Sequence, residues 1–311
     1  MDVSVCIPAF NRPKLLGLAL DSVEKQRGVK LEILIGDDSD NDESLNVIKS
    51  RKIANLRYFR HKPNLGQASN VNFLFDKAIG KSILLLHDDD ELEEDAIEKM
   101  FSCFSYDVDV VFGKQRIISV DGKINYDASD ELNCKYFRTA SRKGRQKSAV
   151  ESALLAQFPN DGFLVETNLA KSTKLRADKS IGPACDYFFG IDLSKKTKGF
   201  FFLDQFTARY RVGNDSILTS QRYDENIFLN LLHVDVPICQ RELKNNILKA
   251  YFLPAFSSCL INRKNCELKT LKKLRKYYDI NPSLKSKLLY ALSFLPLGVS
   301  SKVASLMRKA R

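Results

Sequence analysis

The seven cysteines (Cys6, Cys103, Cys134, Cys185, Cys239, Cys259 and Cys266) form no C-x-x-C pair. A scattered set of odd number argues against both a disulfide framework and a structural zinc site, so the thiols are expected to be reduced. No G-x-G-x-x-G follows the first strand-like segment and no G-x-x-x-x-G-K-[ST] occurs, which leaves neither a dinucleotide fingerprint nor a P-loop. The start of the chain lacks a basic segment followed by an apolar run. Met1-Asp2-Val3-Ser4-Val5-Cys6 passes straight into a strand pattern, so a cytoplasmic location is expected. The apolar stretch from Leu288 to Val299 is too short and too interrupted to span a bilayer, which takes about 20 residues. There is no internal repeat and no long linker.

What is present is ordinary globular composition: 311 residues, 44% hydrophobic and 28% charged, enough for one large domain or two moderate ones. The net charge of +11 resembles a nucleic-acid footprint until it is divided along the chain. Residues 241–311 hold 16 Lys and Arg against Glu242, Glu267 and Asp279, a local +13, while residues 1–240 carry 33 basic against 35 acidic groups, or −2. The basicity belongs to the tail, and no nucleic-acid partner is expected.

The stretch Ser82-Ile83-Leu84-Leu85-Leu86-His87-Asp88-Asp89-Asp90 sets an aliphatic run against three carboxylates. The run reads as a buried strand, which puts the acids at its carboxyl end, where open α/β sheets bind ligands. Adjacent like charges need screening, and oxygen ligands suit Mg²⁺ or Mn²⁺, an ion able to carry a phosphorylated substrate. The bland alternative is a solvated acidic turn opening a helix near Glu93.

In chain order, Val3 to Pro8 reads as a strand and Pro13 opens a helix with Leu15, Leu16, Leu18, Ala19 and Val23 at helical spacing. Leu31 to Gly36 is a second strand ending in Asp37-Asp38-Ser39, followed by a helix. A third strand at Leu56 to Phe59 leads through Asn64-Leu65-Gly66-Gln67-Ala68-Ser69-Asn70 into another helix. The acidic stretch ends the fourth strand, and a helix over 93–104 and a strand over 108–112 follow. This alternation predicts a mainly parallel sheet flanked by helices, with the polar clusters on one edge. After about residue 114 it breaks. Asp121-Gly122 signals a hairpin, and the basic, Ser-rich segment Tyr136 to Ser148 is expected to be a mobile loop. Later come helices over 150–157 and 185–193 and strands over 163–166, 200–203 and 207–212. Beyond Asp224 the pattern is helical and basic, and Leu284, Leu288, Leu292 and Leu295 share a helical face beside Lys285 and Lys287. Such a face either lies on a membrane, where each basic charge contributes roughly 1 kcal/mol, or packs as a cap on the preceding domain.

Residues 3–112 resemble the amino-terminal half of a family 2 glycosyltransferase of the GT-A fold. The resemblance rests on Val5 to Arg12, Asp37-Asp38-Ser39, Asn64 to Asn70 and His87 to Leu92, in the family's order and spacing. It extends to about residue 218 through Cys185-Asp186-Tyr187 with its apolar sequel and Tyr210-Arg211-Val212-Gly213-Asn214-Asp215-Ser216-Ile217. Three positions depart from the pattern: Cys185 replaces an acid, Gly213 a His and Ser69 an Arg.

The resemblance implies residues 1–220 as the transferase domain, with a nucleotide-binding half (1–112) and an acceptor half (113–220), and residues 221–311 as a basic helical extension. It implies that Pro8, Ala9, Phe10, Arg12, Asp37, Asp38, Asn64, Gly66, Asn70, Asp88 and Asp89 bind a nucleotide sugar. Asp88 and Asp90 would hold a divalent metal, with His87 a further possible ligand, and Asp186 would be the general base. Its burial beside Tyr187, Phe188 and Phe189 would raise its pKa, although Asp also favours helix N-caps. The implied activity is inverting transfer of a sugar from a nucleoside-diphosphate sugar to a glycan, lipid-linked as in bacterial O-antigen or capsule assembly. The protein would then sit at the inner face of the membrane. The competing expectation is a binding protein that kept the fold and lost the chemistry.

Overall fold

The computed structural model describes residues 1–213, 224–279 and 282–309. Among the described residues ten strands form one sheet: β1 (Val3–Ala9), β2 (Leu31–Asp37), β3 (Leu56–Arg60), β4 (Ser82–Leu85), β5 (Glu91–Leu92), β6 (Val110–Ile118), β7 (Ile124–Asn125), β8 (Gly144–Arg145), β9 (Phe163–Glu166) and β10 (Phe200–Arg211). The order is β3-β2-β1-β4-β9-β6-β10-β5, with β7 on β6 and β8 on β10. Strands β1 to β4 pair in parallel, and β6 and β10 run in the same sense. Strand β9 is inserted backwards between β4 and β6, in the register Leu85↔Phe163 and Ser82↔Glu166, and the short strands β5, β7 and β8 also pair antiparallel. Strand β9 therefore begins where β4 ends, and residues just before β9 join the edge that carries the acids.

Helix α1 (Pro13–Glu24) starts at a proline suited to a first helical turn and buries Leu16, Ala19, Leu20 and Val23, spaced by three and four. These pack on Val5, Ile7, Ile33, Ile35, Leu84 and Leu86 together with Ile48 of α2 (Glu43–Lys49). Alternate strand residues face opposite ways, so Cys6, Leu34, Ile83 and Leu85 serve the other face. Helix α3 (Gln67–Lys77) adjoins β1 and β2 and buries Val71, Leu74 and Phe75 outside the first cluster. A group of phenylalanines, Phe112, Phe158, Phe163, Phe189 and Phe200, packs ring on ring at 4.5 to 6.2 Å.

Helix α4 covers only Ala96–Phe101, because Glu91 and Leu92 pair with β10 and Asp95 takes a left-handed φ of 57°. The strands expected at 200–203 and 207–212 are one strand whose register on β6 shifts around Phe206. Helix α5 (Tyr126–Lys135) follows the β6–β7 hairpin. The segment 136–148 is tied down, contrary to expectation: Arg138 is buried and donates to the Gln157 carbonyl and to Gln115 Oε1, both at 2.8 Å, and β8 pairs with Phe201 and Phe202. Helices α6 (Ala149–Leu154), α7 (Thr167–Thr173) and α8 (Cys185–Ser194) complete this part.

The chain divides into two units, Met1–Ala177 with Cys185–Asn214, and Asp178–Ala184 with Asp215–Arg311. The boundary expected at 220 lies outside the described residues. The second unit contains α9 (Asp224–Leu232), α10 (Arg241–Ile261), α11 (Asn265–Tyr278), α12 (Leu284–Leu292) and α13 (Leu297–Lys309). Its centre is Phe228, Phe252 and Tyr278, and Asn230 Nδ2 ties Asp178–Ala184 to it by donating to the Ser180 carbonyl at 3.0 Å. Among the described residues no helix is long and apolar enough to cross a membrane.

Candidate active site

The carboxyl ends of β1 and β2 and the loop before α3 interlock. The Ser39 hydroxyl accepts from the Asn11 amide at 2.8 Å. Asp37, fully buried, accepts from the Ser39 amide at 2.9 Å and the Tyr58 hydroxyl at 2.7 Å. Asp38 accepts from the amides of Leu65 at 3.1 Å and Gly66 at 3.0 Å, while Asn64 Nδ2 donates to its carbonyl at 3.3 Å. Asn70 is buried and donates to the Gly36 carbonyl at 2.8 Å. A Cβ at position 36 would meet Asn70 Oδ1 at 1.9 Å, so glycine there is a packing requirement. These side chains spend most of their bonding capacity on building the rim. Above them Phe10 is 48% exposed, which rules out a core role.

The acid loop crosses this rim. Asp88 is buried and accepts from the Phe10 amide at 2.9 Å and from Arg12 NH1 at 3.0 Å, and the same nitrogen lies 2.9 Å from Asp89. Burial pushes the Asp88 carboxyl up to about 6 against the opposing Arg12. Asp90 is 1% exposed. Its Oδ1 accepts from the Arg211 amide at 2.7 Å, and its Oδ2 has no hydrogen-bond partner and lies 3.9 Å from His87 Nδ1. Burial, Asp161 and Asp89 together hold its pKa well above the ordinary carboxylate value.

Asp161 precedes β9 and is fully buried. It accepts from the His87 amide at 3.2 Å and from Gln115 Nε2 at 2.9 Å, and Gln115 accepts in turn from Arg138. Ligand atoms of His87, Asp90 and Asp161 lie within 4.8 Å of one another. Two buried atoms there, Asp90 Oδ2 and His87 Nε2, lack any hydrogen-bond partner, a costly arrangement that a cation relieves. One imidazole and two carboxylates fit a divalent ion, and the nitrogen suits Mn²⁺ better than Mg²⁺. Asp88, expected beside Asp90 as a ligand, is outside this cluster and turned to Arg12 and Phe10.

Asp186 occupies the second position of α8, inside the helix and past any cap. It is half-buried, and its carboxyl is pushed up to about 6: burial acts first, His87 opposes and Asp161 reinforces. The His87 imidazole feels burial downward, but Asp161, Asp186, Asp89 and Asp88 outweigh it and raise its pKa. These four carboxylates and one imidazole thus form a single electrostatic unit. Cys185 is buried and its Sγ lies 3.7 Å from Asp186 Oδ1, while Asp192 pairs with Arg176 through two bonds of 2.7 Å.

One residue escaped the sequence reading, and a second entered it only as part of a motif, with no role of its own. Asp161 was visible only as Asn160-Asp161-Gly162 before a strand, and its place depends on that strand running backwards. Arg211 ends β10 and binds the acid loop through its Nε on the Asp89 carbonyl at 2.9 Å and through the Glu91 carboxylate, with NH1 on the carbonyls of Ser119 and Val120 at 3.0 Å. The departure at Gly213 lies next to Val120, and Asn214 to Ile217 are outside the described residues.

Residues 4–158 match the model described as "Glycosyl transferase family 2". A Campylobacter jejuni protein named GalNAc(5)-diNAcBac-PP-undecaprenol beta-1,3-glucosyltransferase is 29% identical over 163 residues, 49% of this chain and 52% of that protein. The chain thus spans about half the length of this curated relative. Among solved structures, residues 1–349 of Staphylococcus aureus TarS align with a TM-score of 0.63 at 16% identity, covering 100% of this chain and 92% of that one. The mannosyltransferase PcManGT of Pyrobaculum calidifontis, solved with GDP-Man and Mn²⁺, aligns at 0.58 and 11% identity, covering 97% and 84%.

Proposed function

The chain belongs to glycosyl transferase family 2 and has the GT-A fold, and from that premise we propose that it moves a sugar from a nucleoside-diphosphate sugar to a glycan acceptor with inversion at the anomeric carbon. The observation that carries the reading is the convergence of His87, Asp88, Asp90, Asp161 and Asp186 beside the rim built from Asp37, Asp38, Asn64, Gly66 and Asn70.

In this reading the donor lies along Pro8, Ala9, Phe10 and Arg12, with the exposed Phe10 ring as a stacking face and Asp89 placing the sugar. Arg12, which bridges Asp88 and Asp89, is close enough to trade these carboxylates for a phosphate. His87, Asp90 and Asp161 would hold a divalent ion, Mg²⁺ or Mn²⁺. Bound there, the ion supplies positive charge against the departing diphosphate. Asp186 takes the proton of the acceptor hydroxyl as that oxygen bonds to the anomeric carbon and the diphosphate leaves from the opposite side. With a pKa of about 6 it is ionised at neutral pH yet more basic than an ordinary carboxylate.

The acceptor is a lipid-linked glycan at the cytoplasmic face of the membrane, in assembly of a surface polysaccharide such as O-antigen or capsule. Support comes from the undecaprenol-linked glycan in the name of the Campylobacter relative and from the basic carboxyl-terminal residues. A panel of nucleotide sugars assayed for metal-dependent hydrolysis and transfer tests the proposal. Turnover of at least one donor is expected, abolished by Asp186→Asn, and Asp90→Asn should weaken donor binding in the presence of metal. Cys185 and Gly213 favour one rival, a nucleotide-sugar-binding protein without chemistry, which binding without turnover would select.

A further inference from the structure

Helices α12 and α13 of the second unit bury one side and leave the other open. Ser286, Leu289 and Leu292 of α12 are buried, as are Ser300 and Ala304 of α13. On the open side of α12, Leu284 is 84% and Leu288 46% exposed, with exposed Lys287 between them. The arrangement recurs on α13, where Val299 at 50% and Leu306 at 67% flank exposed Lys302. Residues three, four and seven apart share a helix face, so each helix presents an apolar pair with a lysine between its members.

The turn joining the two helices adds Phe294, 67% exposed, and Leu295, 45% exposed, beside exposed Pro296. Lys272 lies 4.2 Å from the centre of the Phe294 ring, which places another cation at this corner. Large apolar side chains gathered at one corner mark a surface that is covered in use. The charge says by what. Residues 241–311 carry 16 basic against three acidic side chains, so the cover must be both apolar and anionic. A bilayer with acidic headgroups is both, and lysine stems reach from an apolar surface back to such headgroups. No described helix is built to cross a membrane, so the face lies on one.

We propose that the α12–α13 corner inserts into an anionic membrane surface, Phe294 and Leu295 leading, with Leu284, Leu288, Val299 and Leu306 beside them and Lys287 and Lys302 at the headgroups. The proposal rests on the lipid-linked-acceptor reading for its purpose and assigns that reading's membrane contact to one surface.

The test is co-sedimentation of the full chain with phosphatidylcholine vesicles, with and without phosphatidylglycerol. The wild type binds the anionic vesicles. Phe294→Ser with Leu295→Ser weakens that binding by roughly tenfold or more while circular dichroism and melting stay unchanged. Lys287→Glu with Lys302→Glu removes the preference for anionic lipid. Ile79→Ser, which changes a 67% exposed apolar residue of the first unit, binds like the wild type. A wild type that ignores the vesicles, or a Phe294/Leu295 variant that binds as before, overturns the proposal. So does a concentration-dependent dimer that this variant dissolves, which would give the face to a second copy. Nucleotide-sugar turnover on the same samples separates the two ideas. Turnover without vesicle binding removes this corner alone, whereas vesicle binding without turnover on any donor removes the transferase reading and leaves the corner standing.

Discussion

Asp186 joins the two properties that a general base needs, a raised pKa and a place beside the acid loop. Its substitution by Asn should lower turnover by about 10²–10⁴-fold with donor affinity nearly unchanged, as read by titration calorimetry beside the transfer assay. The group works ionised, so kcat/KM, which reports the free enzyme, should rise with pH up to about 6 and level off above it; a pH–rate profile without that limb removes Asp186 from the role. Asp161 is argued from its burial and from Asp90 Oδ2, which has no hydrogen-bond partner, beside it. Asp161→Asn should weaken Mn²⁺ binding by roughly tenfold or more, measured by electron paramagnetic resonance without nucleotide. Asp186 was singled out only through the resemblance of Cys185-Asp186-Tyr187 to a family motif, since an acid opening an apolar helix reads equally well as a cap. Asp161 was not, since its partners His87 and Gln115 are 74 and 46 residues away and meet it only through tertiary pairing.

The elements that hold this site are β9 and the end of β10. Gly162 has a φ of +68°, and a Cβ there would meet Ala208 Cβ at 2.5 Å. Gly162→Ala should cost about 1–3 kcal/mol in urea unfolding and lower metal affinity by displacing Asp161. Arg211, 6% exposed, ties Asp89, Asp90 and Glu91 to the turn after β6. Its replacement by Met should cost roughly 3 kcal/mol, since it leaves Glu91 and several carbonyls without their donor. The parallel strands β1 to β4 were readable from aliphatic runs ending in polar clusters. The direction of β9 was not, because Phe163-Leu164-Val165 is apolar on both faces and such a run is the same in either orientation. The segment 136–148 misled for a related reason: its basic, serine-rich composition suggests solvent, and the burial of Arg138 depends on Gln115 and Gln157, which are distant or outside the segment.

For the whole molecule, the concentrated acids make stability and function pull in opposite directions. Asp88 and Asp186 have folded-state pKa values of about 6 against an ordinary 3.8, so between those values the folded chain holds protons that the unfolded chain releases. Stability in the presence of a chelator should therefore fall as pH rises from about 4 to 6 and go on falling above it, because Asp90 and His87, whose pKa values are also raised, still hold protons there, and Mn²⁺ should restore it at neutral pH. Thermal melts across that range read this directly. At this scale the charge partition was legible, because counting needs no structure, whereas the grouping of Asp178–Ala184 with the second unit was not. The central claim, a cation-carried sugar diphosphate facing a base on α8, is tested most directly by calorimetric titration of the preferred nucleotide sugar, with Mn²⁺, into the wild type and into Asp186→Asn and Asp90→Asn. The account predicts wild-type affinity for a catalytically dead Asp186→Asn and a weakened, metal-insensitive affinity for Asp90→Asn. Undiminished transfer by the first, or unaltered metal-dependent binding by the second, would contradict it.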